Sequence, residues 1–225
     1  MLAKKAKEVL ITLQKAGFLK DLLLIGSWCG SFYSAYFEKE KFNPTIQTLD
    51  IDFLIPEPKR ISSKDTSLTS LLEPLDFDME FTGSGWTRFV HPELRVEFLV
   101  PRLGPQSDDP KLIKEWSIKA MPLRHTHVLT KYMIQLDLSG VKVKLPHPAA
   151  FALHKLFVSG RRKEKGKAIR DLELASRLLE VLKKQGEFKI LKKVWESFTK
   201  NERIEILKII DSHEHLLWLK EILKN

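Results

Sequence analysis

Apolar residues recur at helical spacing from the start of the chain. Leu2, Ala6, Val9, Leu10, Leu13 and Phe18 fall on one stripe, and Gly17 stands where such a helix ends. The period then changes: Asp21 to Ile25 is a short apolar run, Gly26-Ser27 a tight turn, and Trp28 to Phe37 returns to helical spacing, which predicts strand, turn and helix in succession. A polar stretch holding Asn43-Pro44 leads into a second apolar run, Thr48 to Ile55, closed by Pro56 and Pro58, whose missing amide donors stop sheet pairing. Ser62 to Leu72 predicts a short helix. Phe77–Phe81, Trp86–His91 and Leu94–Val100 alternate as three antiparallel strands, joined at Gly83-Ser84-Gly85 and at His91-Pro92-Glu93, and form a meander on one edge of a sheet.

After a loop from Gly104 to Pro110, Leu129–Leu136 and Val141–Leu145 predict a further hairpin around Ser139-Gly140. From Pro148 onward the apolar positions keep helical spacing in Ala149–Val158, Ala168–Leu182, Phe188–Phe198, Ile204–Ile210 and Leu216–Leu223. The order of elements predicts an α+β fold. A mixed twisted sheet flanked by helices occupies residues 1–146, a helical domain occupies 147–225, and a cleft lies between them.

Composition narrows the function classes. A chain of 225 residues, 43% hydrophobic, can build a real core, and it has no apolar run of the roughly eighteen residues a membrane span needs. The N-terminus turns amphipathic before any signal-like stretch, so the expectation is a soluble, cytoplasmic protein without a membrane partner. The single cysteine, Cys29, excludes an internal disulfide and a Cys-rich zinc site and fits a reducing compartment. A net charge of +9 favours a polyanionic partner, nucleic acid or nucleoside triphosphate. From Pro146 onward there are 18 Lys+Arg against 11 Asp+Glu, so most of the excess lies in the helical part, where Lys-rich helices also serve simply as solvated faces.

The residues with chemistry begin at Asp50 and Asp52. Strand side chains alternate faces at about 3.3 Å per residue, so the two carboxylates project to one side roughly 6.6 Å apart. Burying two like charges costs several kcal/mol unless a cation or strong donors offset it, which makes magnesium chemistry on a nucleotide the first hypothesis. Upstream, Gly26 lets backbone approach a ligand, and Ser27 with the following amides forms an anion cradle at a helix start, although an ordinary N-cap has the same look. Neither a Walker loop nor a dinucleotide-binding fingerprint is present. Glu97 supplies a third carboxylate on an apolar strand, the number that two Mg²⁺ ions about 4 Å apart require for phosphoryl transfer. Its neighbours Arg88 and Arg95 offer the alternative of an ion-paired strand acid.

Together these segments resemble the nucleotidyltransferase superfamily related to DNA polymerase beta. More narrowly, Leu24-Ile-Gly-Ser, Thr48-Leu-Asp-Ile-Asp-Phe, Val96-Glu-Phe-Leu-Val-Pro and Pro146-His-Pro-Ala-Ala-Phe-Ala-Leu-His-Lys-Leu are similar to a bacterial and archaeal branch of nucleotidyltransferase-like proteins. The resemblance implies that Gly26 and Ser27 hold nucleotide phosphates and that Asp50, Asp52 and Glu97 bind two Mg²⁺ ions, or Mn²⁺, as catalytic and metal residues. It implies a metal-dependent transfer of a nucleoside monophosphate from a nucleoside triphosphate, ATP among them, to a hydroxyl acceptor, with release of pyrophosphate. The acceptor is left open among RNA or tRNA, protein and a small molecule. Compact members bring the Asp-x-Asp soon after the Gly-Ser turn, whereas here a helix and the segment Glu38–Thr48 intervene.

A second similarity lies in His154-Lys155-Leu156 through Arg161-Arg162-Lys163, then Lys165, Lys167, Arg170 and Asp171. Several nucleotidyltransferase-like families, including toxins paired with a small antitoxin partner, carry such a pattern on two helices behind the sheet. It implies nucleotide binding by Lys155, Arg161, Arg162 and Lys167, with Lys155 and Lys167 reaching inward and Asp171 orienting one of them. A basic surface with internal salt bridges is the alternative, as is a non-catalytic module that binds nucleotide or nucleic acid on the same fold. His125-x-His127 and His213-Glu-His215 lack a third ligand nearby and are expected to be surface histidines. Ser27, His154 and an Asp do not form a hydrolase triad, because no nucleophile elbow exists. Trp86, Trp116, Trp195 and Trp218 are expected in the core, and Trp28 beside the cradle.

Overall fold

The computed structural model describes residues 3–37, 42, 48–62, 66–102 and 108–224. The first amphipathic stretch is helix α1, Lys4–Lys15, and Gly17 ends it at a φ of 81° before a 3₁₀ turn at Phe18–Lys20. Strand β1 (Leu23–Ile25) leads through the Gly26 turn to α2 (Cys29–Tyr36), and β2 is Asp50–Leu54. Helix α3 is Leu68–Leu72, shorter than the expected Ser62–Leu72 stretch, of which 63–65 lie outside the described residues. The meander is β3 (Asp78–Phe81), β4 (Thr87–His91) and β5 (Leu94–Pro101), as the alternation predicts. Most of the loop expected at Gly104–Pro110 and of the segment 38–47 also lies outside the described residues.

Two strands have no counterpart in the sequence reading: β6 (Lys111–Ile113) and β7 (Ile118–Leu123). The hairpin after them is β8 (Met133–Leu138) and β9 (Val141–Pro146). Its expected start at Leu129 is corrected, because Leu129 lies on the short helix α4 (His127–Lys131), buried with Val128. Both residues find apolar cover there, so the apolar period that suggested a strand is satisfied by a helical turn. The helices α5 (Pro148–Ser159), α6 (Lys165–Lys184), α7 (Phe188–Trp195), α8 (Lys200–Asp211) and α9 (Leu217–Lys224) follow. Among the described residues, none is long and apolar enough to cross a membrane.

The sheet runs β3-β4-β5-β2-β1-β9-β8, with β7 paired to the far end of β5 and β6 to β7. Strands β2 and β5 are parallel, with Asp50 opposite Arg95 and Asp52 opposite Glu97. Strand β1 runs antiparallel to β2 and sets Ile25 opposite Asp52, so the turn after β1 arrives beside the acids. Alternation along β5 sends Val96 and Phe98 to one face and Arg95 and Glu97 to the other. The apolar face packs Phe98 against Phe53, Phe89 and Trp116 at ring separations of 5.8, 6.1 and 6.2 Å.

On the other side, Tyr33 of α2 donates to the Pro146 carbonyl at 2.8 Å and meets Phe151 of α5 edge-on. His147 Nδ1 caps α5 by accepting from the Ala149 amide, its Nε2 lies 2.8 Å from the Tyr36 hydroxyl, and that hydroxyl donates to Glu187. Burial lowers the His147 pKa to about 4, so the imidazole is neutral and can pass one hydrogen bond along this chain. The expected division at residue 146 falls at the end of β9, and the hydrophobic core continues across it into the helices. Truncating the fully buried Phe98 to Ala is expected to cost about 3–5 kcal/mol, read as a lower midpoint in urea unfolding with an unchanged slope.

Candidate active site

The in-register ladder between β2 and β5 is what brings the acids together. Neighbouring strands lie about 4.7–4.9 Å apart, so Asp52 and Glu97 face each other directly across the ladder and Asp50 lies one pleat repeat away on the same face. The three differ in their partners. Arg95 Nε lies 2.6 Å from Asp50 Oδ1, and Arg88 Nη1 lies 3.7 Å from Glu97 Oε1. Asp52 has no ion pair among the described residues. Burial, then the charges of Glu97 and Asp50, raise its pKa to about 7, against the pull of Lys155 and Arg162. Burial also raises Glu97, with Asp50 adding to it and Arg88 and Arg95 opposing.

Gly26 is dictated by both its backbone and its neighbour. Its φ is 74°, and a Cβ there would overlap Asp52 Oδ2, so any side chain would push the carboxylate aside. The amides of Cys29 and Gly30 turn back to the carbonyls of Gly26 and Ser27, which leaves those of Ser27 and Trp28 without a partner among the described residues. The cradle is thus two amides rather than a whole helix end. Ser27 does not cap α2. Its hydroxyl lies 2.7 Å from Thr48 Oγ1, which donates to the Asp50 carbonyl, so Ser27 is the donor and the turn is tied to the start of β2. Trp28, buried as expected beside the turn, donates from Nε1 to the Thr48 carbonyl at 3.2 Å.

Opposite the acids stands a wall from α5 and α6. Lys155 is buried, with Nζ 2.6 Å from Asp171 Oδ1 and 5.4 Å from the centre of the Phe151 ring. Arg162 Nε takes the other oxygen of Asp171 at 2.8 Å. Burial alone would raise the Asp171 pKa, but Lys155 and Arg162 outweigh it and hold the carboxyl below its ordinary range. Arg161 is committed to Glu205 of α8, at 2.9 and 3.0 Å. The inward reach expected of Lys167 is not seen: its side chain is 55% exposed and pairs with Glu164 one helical turn back. Lys155, Arg161, Arg162, Lys167 and Asp171, with Gly26, Ser27, Asp50, Asp52 and Glu97, border one cavity of about 630 Å³, within the range of small-molecule sites.

The donor set opposite the wall consists of carboxylate oxygens, the hard ligands that Mg²⁺ prefers, and the unpaired Asp52 beside Glu97 is a place where a cation would relieve repulsion. Among the described residues no three His, Cys, Asp or Glu side chains already form a metal cage. Arg95 and Arg88 lie against Asp50 and Glu97, so a metal ion would share or displace guanidinium partners.

Two histidines at the cavity were given no role in the site by the sequence reading. His125, expected at the surface, borders the cavity, and its Nδ1 lies 2.8 Å from Glu202 Oε1 of α8. His154, set aside with the hydrolase triad, is 7% exposed and also borders the cavity. Spacing assigns neither a role, because His125, in the turn between β7 and α4, and His154, on α5, reach the cleft through packing that only the tertiary structure defines.

Comparisons with known proteins follow from this geometry. No curated protein matches the chain. Among solved structures, ANT(2")-Ia in complex with adenylyl-2"-tobramycin is 10% identical, covering 92% of this chain and 95% of that one at a TM-score of 0.45. An antigenic nucleotidyltransferase-like protein from Paracoccidioides brasiliensis is 15% identical, covering 84% of this chain and 92% of that one at a TM-score of 0.40. A family model described as Nucleotidyltransferase matches residues 4–200, nearly the whole span from α1 to α8. The chain therefore belongs to the nucleotidyltransferase family.

Proposed function

We propose that the chain transfers a nucleoside monophosphate from a nucleoside triphosphate to a hydroxyl acceptor, releasing pyrophosphate, and that it does so with Mg²⁺ held by Asp50, Asp52 and Glu97. The observation that carries this reading is Asp52: a carboxylate without a cation partner, pressed against a glycine turn and opposite a second acid. Bound divalent metal would neutralise the acids, polarise the α-phosphate and lower the pKa of the attacking hydroxyl. The protein's own part is placement. Free amides at Ser27 and Trp28 receive phosphate oxygens, and Lys155 approaches from the facing helix, oriented by Asp171. Glu97, the acid nearest Asp52, is suited to accept the acceptor's proton. Arg162 and Lys155, both already charge-compensated by Asp171, add positive potential where pyrophosphate leaves.

A second reading has one observation in its favour. Asp50 and Glu97 are already balanced by Arg95 and Arg88, as they would be in a module that binds nucleotide or nucleic acid without metal. A thermal shift produced by nucleoside triphosphate only in the presence of Mg²⁺ is expected for the enzyme; an equal shift with RNA or DNA in EDTA favours the binder.

Asp52→Asn is expected to lower transfer of label from α-³²P nucleotide into acceptors of a cell extract by about 10²-fold or more while the variant stays folded. Transfer at the wild-type level would sink the assignment. Gly26→Ala is expected to disturb the same site through sterics, with loss of Mg²⁺-dependent nucleotide binding in a thermal-shift titration.

The raised Asp52 pKa makes a further demand on the metal-free protein. With an ordinary value of 3.8 and a folded value of about 7, the folded state holds more protons than the unfolded one across that window, so the Asp52 contribution to stability falls as pH rises through it. In EDTA, Asp52→Asn should therefore melt above the wild type at pH 8, and the gap should close toward pH 4. Calorimetric scans at the two pH values check this, and a gap independent of pH contradicts it.

A further inference from the structure

Beyond the acids the cavity continues along the C-terminal end of β5. Leu99 follows Glu97 on the same face, about 6.6 Å along the strand, and pairs with Met121 of β7. Leu129 of α4 and Val158 of α5 add aliphatic walls to this arm, while Arg124, paired with Asp108, also borders the cavity. Its polar side chains include two imidazoles. His125 ends the arm, with Nδ1 fixed by Glu202 and its ring 4.8 Å from Phe157, one helical turn from His154. His154 itself is nine-tenths buried, and neither ring nitrogen has a hydrogen-bond partner among the described residues.

An unsatisfied polar group in a protein interior costs about 1–3 kcal/mol, so two on one ring ask for an explanation. Burial, and then the charge of Lys155, lower the His154 pKa to about 3, so the ring is neutral and offers one donor and one acceptor. The second torsion of an imidazole is soft, and a small rotation turns a ring nitrogen toward the cavity that the residue borders.

We propose that this arm is the nucleoside subsite and that His154 reads the polar edge of the base, a placement that rests on the nucleotidyl-transfer reading above. A phosphate held at Asp50, Asp52 and Glu97 leaves its ribose and base within reach of Leu99 and Met121. Flat faces against aliphatic walls, with a neutral donor–acceptor ring at the edge, suit a nucleobase.

The test is calorimetric titration of wild type and His154→Leu with the four α,β-methylene nucleoside triphosphates and with inorganic tripolyphosphate, all with Mg²⁺. The leucine keeps the volume apolar and removes the orphaned nitrogens, so the variant should fold at least as well as wild type, checked by its melting temperature. Expected are a loss of about tenfold or more for the analogue that wild type binds best, a narrowed spread among the four bases, and unchanged tripolyphosphate affinity. Unchanged affinities and spread for the four analogues would overturn the proposal, as would an equal loss for tripolyphosphate. If the analogues bind equally well in EDTA but still weaken in the variant, the metal-dependent reading fails and the subsite stands.

Discussion

Repulsion between Asp52 and Glu97 is the constraint around which the rest of the site is arranged. Two parallel strands in register leave these side chains nowhere to go but toward each other, and the aromatic packing under β5 fixes the register from the opposite face. A slip of one residue would reverse every side chain, burying carboxylates among Phe53, Phe98 and Trp116. The fold therefore cannot relax the repulsion by sliding. It distributes the charge instead: Arg95 takes Asp50, Arg88 takes Glu97, and the remaining excess falls on Asp52.

The same logic, with signs reversed, governs the facing helices. Lys155 and Arg162 converge on Asp171, whose single charge offsets part of their mutual repulsion. Under the proposed function an entering phosphate would meet cations already positioned, at the cost of loosening one contact to Asp171. The two halves are kept in relation by polar bonds at the edge of the core. Tyr33 reaches the end of β9, and the chain from His147 through Tyr36 to Glu187 joins the helix that follows the phosphate turn to the start of α7.

Much of this was legible in the sequence because the decisive signals were local. Period-two alternation gave the meander and the Asp-x-Asp strand, Gly-Ser gave the turn, and helical spacing gave α5 through α9. The parts that escaped depend on partners distant in the chain. Strand β6 is three residues long with Leu112 exposed beside Lys111, and β7 carries a proline at Pro122, so neither shows a run that marks a strand before Ile113, Ile118 and Ala120 find their cover. The resemblance pointed to Lys155 and Lys167 alike as inward cations, yet helical phase buries one against Asp171 and leaves the other exposed at the border of the cavity. His125 and His154 look unremarkable as residues, and their positions follow from how β7 and α5 pack.

Thr48 joins two places that the chain visits far apart. Its hydroxyl receives Ser27 on one side and holds the Asp50 carbonyl on the other, so the chain leaves the site and returns to it at points only one hydrogen bond apart. Helix α2 begins at one side of this clasp, and its Phe32 and Tyr33, with Phe37 just after it, are fully buried in the core. The clasp therefore passes the packing of α2 on to the acids: a change under that helix would move Ser27, and through Thr48 the start of β2, without touching a carboxylate.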